Sequence, residues 1–276
     1  MFLSDDDSTS ICPRAPPRRV ARRRAEWFAA LIDRPWAVSW PRRRSRFGRE
    51  GFRSTLISRG ETVEQLAPDL RGDGLEIEAV GADIEDLDGY RATLERIFRA
   101  PGAPGVAVYN AALPDPGEIL DTTVERLRTA YDVDVVGAVV AAQVAAPFLR
   151  TAGSGTLLFT SGGFADHPVP ALASLSMGKA ALRAAATLIA AGVQEDGIHA
   201  ATVTIAGSVV RGTAFDPDNI ADLFWIAHTD RPTPGRPSID SPASPWTSSV
   251  SNSTPGVTPN PSSLGSDHEA NLRCLW

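Results

Sequence analysis

Several residue types are scarce in this chain, and each scarcity narrows the range of functions. The 276 residues include two cysteines, Cys12 and Cys274, which lie in the two least regular segments. They indicate neither a disulfide framework nor a metal site, and they favour a reducing, cytoplasmic location. Because the sequence has no run of about 18 apolar residues and opens with no charged and apolar leader, we expect neither a membrane span nor secretion.

Lysine is the scarcest basic residue. Lys179 is the one lysine among 27 basic residues, and all the others are arginine. The net charge of −6 argues against a dedicated nucleic-acid-binding protein. The arginine bias most simply reflects the coding DNA, so a lysine that stands against this bias predicts a specific role for Lys179.

The composition divides the chain into three segments. Residues 1–46 hold eleven arginines and several prolines without a sustained period, and residues 231–276 are rich in proline and serine. We expect the first segment to be irregular and the second to be a disordered tail, because such sequences bury too little apolar surface to offset the entropy lost on ordering. Residues 47–230 are expected to form one domain.

Apolar runs alternate with helical patterns throughout residues 47–230. Strands are predicted at 54–58, 75–80, 105–109, 156–160 and 199–205, and helices at 61–67, 87–99, 122–150, 172–194 and 216–228. Strands that are largely apolar are typical of a parallel sheet covered by helices on both faces. Because parallel crossovers are right-handed, the predicted fold is α/β, a Rossmann-like doubly wound sheet that binds ligands at the carboxyl ends of its strands.

Four short motifs lie at these strand ends or on a following helix. They are Gly81-Ala82-Asp83-Ile84, Tyr109-Asn110-Ala111-Ala112, Ser161-Gly162-Gly163, and Ser176-Met177-Gly178-Lys179-Ala180 on the helix predicted at 172–194. In this order and in these positions they resemble the motifs of the short-chain dehydrogenase/reductase family. The resemblance covers Phe47 to Asp230.

The resemblance implies a role for each of several residues. Lys179 would hold the nicotinamide ribose, Ser161 would polarise the substrate carbonyl, and Asp134 takes the place of an asparagine on the long helix. The cofactor-binding residues implied are Arg59, Asp83, Ile84, Asn110, Ala111, Lys179, Gly207 and Thr213. A basic residue at position 59 resembles the NADP-preferring members, in which it pairs with the 2′-phosphate, so NADP is the expected cofactor and NAD the alternative.

Four of these roles have a purely structural alternative, and the family's serine can align with Gly162 instead of Ser161. Lys179 can be an exposed helix lysine, and Arg59 can be a solvated arginine in an arginine-rich chain. Asp83 can cap the helix that follows it. Asn110 can simply satisfy a turn.

Two departures from the family pattern bear directly on function. Leu175 stands four residues before Lys179, where the family has tyrosine, and leucine has no proton to donate. In addition, no strand with a glycine-rich turn precedes the strand at 54–58. Without such a turn the backbone cannot approach a pyrophosphate closely.

A shifted reading frame offers one explanation for the missing glycines. Read one nucleotide later, the tryptophan codons of Trp36 and Trp40 become glycine codons, and those of Arg34 and Arg42 do so if their third base is G. We therefore infer that residues 1–46 are largely an out-of-frame translation, as the tail after Asp230 can also be. The alternative is a genuine basic extension that binds an acidic partner.

The sequence thus predicts a cytoplasmic NAD(P)-dependent oxidoreductase with an incomplete catalytic set. Its substrate would be a small carbonyl compound or alcohol. We expect the protein to bind no metal, no nucleic acid and no membrane. The alternatives are a non-catalytic relative that binds a dinucleotide or a protein partner, and an inactive product of a damaged gene. The Ala-rich and Val-rich helices at 122–150 and 172–194 resemble the family's oligomer seam, which implies a homodimer or homotetramer.

Overall fold

A parallel sheet of seven strands forms the centre of the part of the chain that the structure describes. In the computed structural model these strands, β1 to β7, are Trp27–Ile32, Arg53–Ser58, Ile77–Gly81, Pro104–Asn110, Gly155–Gly162, Ile198–Ile205 and Ser238–Asp240. Their order is β3-β2-β1-β4-β5-β6-β7, with every neighbouring pair parallel. The structure describes residues 46–59, 68, 71 and 74–229, together with the backbone of β1 and β7. The predicted doubly wound sheet is confirmed.

Helices cover both faces of this sheet. They are α1 (Arg46–Arg49), α2 (Leu87–Arg99), α3 (Val124–Tyr131), α4 (Gly137–Ala152), α5 (Ala173–Val193) and α6 (Pro217–Thr229), and a π-helical segment, Asp132–Val136, joins α3 to α4. On one face α2, α4 and α5 enclose a core that includes Tyr109 and Leu157. On the other face α1 and α6 enclose a second core that includes Phe47 and Phe224.

Local sequence signals set several helix boundaries. The helix predicted at 87–99 is observed as Leu87–Arg99, and it begins where the Asp86 carboxylate accepts a hydrogen bond from the Gly89 backbone N–H at 3.1 Å. Asp86 is therefore the N-cap, so the alternative that gave this role to Asp83 is wrong. Gly153 ends α4 with a φ of 71°, a conformation that glycine adopts without strain. The helix predicted at 61–67 lies outside the described residues.

Strand β1 corrects the expectation for the arginine-rich segment. Trp27–Ile32 lies between β2 and β4 and pairs with both of them. Its six residues are all apolar, which is typical of a strand enclosed within a parallel sheet. The sequence interpretation was wrong here because it gave the arginine content of the whole segment more weight than this short run. Residues 33–45, where the shifted frame would restore glycines, lie outside the described residues.

Strand β7 makes a smaller correction at the other end of the chain. Ser238–Asp240 pairs with β6 and so gives the predicted disordered tail a short ordered strand at the sheet edge. One apolar residue in this strand, Ile239, is too weak a signal to stand out in a segment rich in proline and serine. The boundaries of the three segments, at residues 46 and 230, stay a prediction.

The run from Val124 to Ala152 is long and apolar. Among the described residues it is the one helical run with the length and composition to cross a membrane, yet 67% of its most apolar window is buried within the protein. Its alanine and valine side chains pack against α2, α5 and the sheet. Burial of this kind is typical of a core helix in a folded domain.

Candidate active site

The ends of four strands bring predicted site residues to one edge of the sheet. Arg59 follows β2, Asp83 comes after β3, Asn110 ends β4 and Ser161 lies near the end of β5. The strand order reverses between β1 and β4, and doubly wound sheets bind ligands at this point. The structure therefore gathers these residues where the fold has its natural ligand crevice.

Lys179 lies buried at this edge, with 6% of its surface exposed. Its Nζ donates a hydrogen bond to the carbonyl oxygen of Thr160 at 3.0 Å and another to that of Ala111 at 3.4 Å. Burial lowers the pKa of the Lys179 amine, and the carboxylate of Asp134 opposes this by raising it. The alternative of an exposed helix lysine is wrong.

Asp134 lies in the π-helical segment and is fully buried. Its Oδ1 accepts a hydrogen bond from the backbone N–H of Leu113 at 2.8 Å. Gly178 leaves room for the carboxylate, since a Cβ at that position would lie 2.5 Å from Asp134 Oδ2. The sequence analysis identified Asp134 and Lys179 but missed Gly178, whose role depends on the approach of two distant helical segments.

Leu175 lies one helical turn before Lys179, on the same side of α5, and is fully buried. It forms an apolar cluster with Ala112 and Leu172, and Phe164 and Val169 pack against this cluster. The place that the family resemblance gives to a proton donor is therefore closed and apolar.

No tyrosine substitutes for the missing one on α5. The three tyrosines of the chain are Tyr90 on α2, Tyr109 on β4 and Tyr131 on α3. Tyr90 and Tyr109 are buried in the core, and Tyr131 is exposed on the surface. Their positions on other elements leave the lysine turn of α5 without a phenol beside it in sequence.

Three buried side chains at the strand ends carry polar atoms with no hydrogen-bond partner among the described residues. They are both amide atoms of Asn110, the Oγ1 of Thr160 and the Oγ of Ser161. Buried polar groups of this kind are uncommon and often mark the place of a ligand or an ordered water. Ser161 lies on the same face of β5 as Phe159, so its side chain is directed toward the α5 side of the sheet.

Arg59 and Asp83 meet at the ends of β2 and β3. The Arg59 guanidinium donates to the Glu85 carboxylate, and its Nε lies 4.0 Å from Asp83 Oδ1. Asp83 Oδ1 also accepts a hydrogen bond from the backbone N–H of Glu85 at 2.9 Å. Ile84 is only 3% exposed and packs in the core. Arg59 is thus a partly exposed cation at the strand end, held by two carboxylates.

Ala111, Gly207 and Thr213 contribute in different ways. The carbonyl of Ala111 accepts from Lys179, while its side chain is buried. Gly207 packs under the Phe215 ring, into which an added Cβ would collide. The Thr213 hydroxyl donates to the Val210 carbonyl at 2.7 Å and accepts from the Phe215 N–H at 3.1 Å. The Thr213 carbonyl also accepts from the Asn219 side chain at 3.2 Å, so the observed contacts of Gly207 and Thr213 lie within the loop after β6 and the start of α6.

Arg183 is a further charged residue that the sequence analysis missed. It lies one turn after Lys179 on α5, where its guanidinium pairs with Asp166 and donates to Thr204 Oγ1 at 3.3 Å. The spacing of four residues from Lys179 was the available signal. Among the described residues no group of three or more histidine, cysteine, aspartate or glutamate side chains comes together as a metal site.

Comparison with known proteins places the chain in a family. The short chain dehydrogenase family profile matches residues 44–217. Dehydrogenase/reductase SDR family member 4 of Sus scrofa is 27% identical over 139 residues, which cover 50% of this chain and 50% of that protein. The chain thus aligns with half the length of this relative.

Solved structures share the fold. A short chain dehydrogenase from Mycobacterium smegmatis superposes with a TM-score of 0.68 at 18% identity, covering 79% of this chain and 92% of that one. An NAD(P) dependent gluconate 5-dehydrogenase from Beutenbergia cavernae, with bound NADP, superposes with a TM-score of 0.60 at 19% identity. The superposition covers 70% of this chain and 79% of that one. With the sheet order, the buried lysine and the family match over residues 44–217, the chain belongs to the short chain dehydrogenase family.

Proposed function

We propose that this chain is an NADP(H)-binding oxidoreductase-family protein that does not carry out the family's tyrosine-dependent carbonyl reduction. The observation that carries the proposal is Leu175, which is fully buried in an apolar cluster one turn before the buried Lys179. Hydride transfer to a carbonyl leaves an alkoxide that needs a proton donor poised near neutral pH. A leucine side chain supplies none.

The residues at the strand ends fit a dinucleotide at its nicotinamide end and at its adenosine end. Lys179 and Asn110 would hold the ribose and nicotinamide side, since the Asn110 amide has donor and acceptor atoms free among the described residues. Arg59 would bind the 2′-phosphate of NADP, which would replace the Asp83 and Glu85 carboxylates as the partner of the guanidinium. The bound nicotinamide would supply a hydride. Ser161 Oγ would donate to the oxygen of a small carbonyl compound.

Cofactor titration with a turnover assay tests the proposal. We expect calorimetry to detect NADPH binding, and we expect no NADPH oxidation with a reactive quinone or aldehyde. Leu175→Tyr alone should not restore turnover, whereas this variant with a family-type glycine turn added at the N-terminus should. If the unmodified chain turns over and Lys179→Ala abolishes that turnover, another proton donor exists and the proposal is wrong.

The choice between NADP and NAD has its own test. Arg59→Ala should reduce the preference for NADPH over NADH by about tenfold, the effect of losing one charge-assisted phosphate contact. Arg99→Ala is the matched control, because Arg99 is an exposed arginine on α2 that pairs locally with Glu95. An unchanged ratio in Arg59→Ala would remove the argument for NADP.

We also propose that the chain is cytoplasmic and forms a homodimer or homotetramer through α5. Met177 and Leu188, both on α5, are 53% and 73% exposed, and the surface between them is mostly alanine. Leu188→Arg should shift light scattering toward the monomer. Leu120→Arg, at a loop leucine that is 94% exposed, should leave the mass unchanged. A native chain that is monomeric at micromolar concentration would contradict this.

A further inference from the structure

Tyr109 is tied to the π-helical segment by its hydroxyl. The side chain is 2% exposed, and its Oη donates to the backbone carbonyl of Val133. In this segment the Gly137 N–H donates to the carbonyl of Asp132, five residues earlier, so the hydrogen-bond register shifts by one residue. Such a shift disturbs the regular pairing of helix carbonyls, and a buried carbonyl needs a donor. The Tyr109 hydroxyl supplies one.

The space that the phenol occupies is available only because of a glycine. A Cβ on Gly137 would collide with the Tyr109 hydroxyl and would lie 2.6 Å from Ile84 Cγ2. Gly137 begins α4 directly after the π-helical segment. The close approach of β4 and α4 at this point therefore depends on a small residue on the helix and a long polar one on the strand.

The hydrogen bond acts one residue away from Asp134, whose carboxylate raises the pKa of the Lys179 amine. Asp134 directly follows Val133, and its carboxylate accepts from the Leu113 N–H and lies against Gly178, next to Lys179. Lys179 in turn donates to the Thr160 and Ala111 carbonyls.

Other charged groups lie along the same part of α5. Arg183 and Asp166 pair with each other one turn beyond Lys179. Asp134 is the charged group that acts on the pKa of the lysine amine.

We propose that Tyr109 is a positioning residue that fixes the π-helical segment and thereby holds the Asp134 carboxylate beside Lys179. The part that concerns the cofactor rests on the proposed function, because Lys179 would meet the ribose there. The positioning itself belongs to the protein alone. It goes beyond the family resemblance, which includes Tyr109 in a motif but implies no role for it.

The single lysine allows a direct test. Lysine labelled with ¹³C and ¹⁵N at the side-chain end, incorporated into the full chain, gives one side-chain NMR signal, from Lys179. Tyr109→Phe removes only the hydroxyl. We expect a lower titration midpoint for Lys179 in this variant, because the Asp134 carboxylate is held less firmly beside the amine and favours its charged form less.

Tyr90→Phe is the matched control. Tyr90 is fully buried on α2, and its hydroxyl has no hydrogen-bond partner among the described residues. Removal of this hydroxyl should leave the Lys179 midpoint unchanged. An equal shift in Tyr90→Phe and Tyr109→Phe would show a general effect of core changes and would overturn the proposal.

A double variant separates positioning from a purely structural role. Asp134→Asn should lower the Lys179 midpoint by itself, and adding Tyr109→Phe to it should cause no further shift. Hydrogen exchange gives a second readout: the Leu113 amide, which donates to Asp134, should exchange faster in Tyr109→Phe than in Tyr90→Phe. An unchanged midpoint with unchanged Leu113 exchange in Tyr109→Phe would overturn the proposal. All titrations are run without cofactor, so a failure to bind NADPH would count against the proposed function only.

Discussion

Two consecutive turns of α5 face the same edge of the sheet and have opposite environments. The Lys179 turn is enclosed by two backbone carbonyls and has the Asp134 carboxylate nearby. The Leu175 turn is enclosed by apolar side chains such as Leu172 and Phe164. A reductase of the family's usual kind needs polar chemistry in both turns. The Lys179 ammonium therefore has hydrogen-bond partners that do not depend on a tyrosine beside it.

The largest effect that tests this comparison is expected from Lys179→Met. Removal of the ammonium leaves the Thr160 and Ala111 carbonyls without their donor and removes the positive charge that acts on Asp134, which should lower the free energy of unfolding by about 3–5 kcal/mol. Adding Asp134→Asn should recover only part of the loss: it removes the buried carboxylate charge and its amide oxygen can still accept from Leu113, but the two carbonyls stay without a donor. Arg99→Met, which breaks an exposed ion pair with Glu95, should cost at most about 1 kcal/mol. Urea denaturation measures the free energy of unfolding of the unmodified chain and of these three variants. A similar loss in both single variants would contradict a stabilising role for the buried contacts of Lys179.

The Leu175 turn should respond as a packed apolar core. Leu175→Ala should destabilise the protein by about 2–5 kcal/mol through loss of contacts and an added cavity. Leu175→Tyr should cost about 1–3 kcal/mol, because a longer side chain overfills the cluster. Leu120→Ala is the control, because a loop leucine that is 94% exposed should change stability by no more than about 0.5 kcal/mol. A stabilising Leu175→Tyr would mean that the site readily accepts the family's tyrosine.

Gly178 tests how closely the lysine turn packs on the π-helical segment. Alanine usually stabilises a helix relative to glycine by about 0.5–1 kcal/mol. Gly192→Ala on α5 should show this gain, since nothing lies within 4 Å of the added Cβ. Gly178→Ala should instead lower stability by about 1–3 kcal/mol, because its Cβ would press on the Asp134 side chain. Equal gains in the two variants would show that the segment gives way freely.

Much of the fold could be predicted from the sequence because its signals are local. The bounds of α2 follow from an apolar period that begins directly after the capping carboxylate of Asp86. The doubly wound parallel sheet follows from the alternation of apolar strands and helices together with the handedness of crossovers, whereas its strand order was not predicted. Strand β1 was missed because six apolar residues stand within an arginine-rich segment, where composition over a longer window hides them.

The candidate site was only partly predictable for a different reason. Motif order indicated Lys179, Asp134, Asn110 and Ser161, and the structure brings them to one edge of the sheet. The contact of Gly178 with Asp134 joins residues that are distant in sequence. The contact of Gly207 with Phe215 depends on the geometry of a loop, which no periodic pattern shows. The apolar character of position 175 was visible in the sequence, but its enclosure by Phe164 and Val169 depends on a loop that folds back over α5.

The smallest expected effect is the pH dependence that Lys179 gives to stability. Burial lowers the folded-state pKa of its amine below the ordinary value of 10.5, so above that lowered pKa the unfolded chain binds more protons at this site. The free energy of unfolding should therefore rise with pH from the lowered pKa up to 10.5, by at most about 1.4 kcal/mol per pH unit. The burial penalty is fully present below this window and absent above it.

Tyr90 acts in the opposite direction and must be removed from the measurement. Burial raises its pKa well above 10.0, so the folded state keeps a proton that the unfolded chain loses, and stability falls above pH 10. In a Tyr90→Phe background, denaturation curves from pH 7 to 10 should show stability rising relative to the same protein carrying Lys179→Met. Parallel curves would mean that the Lys179 amine keeps its ordinary pKa, and the polar surroundings of this turn would then fully offset its burial. The lysine would then retain its proton as readily as in water. The Lys179 turn would differ from the apolar Leu175 turn only in that its surroundings stabilise a charge.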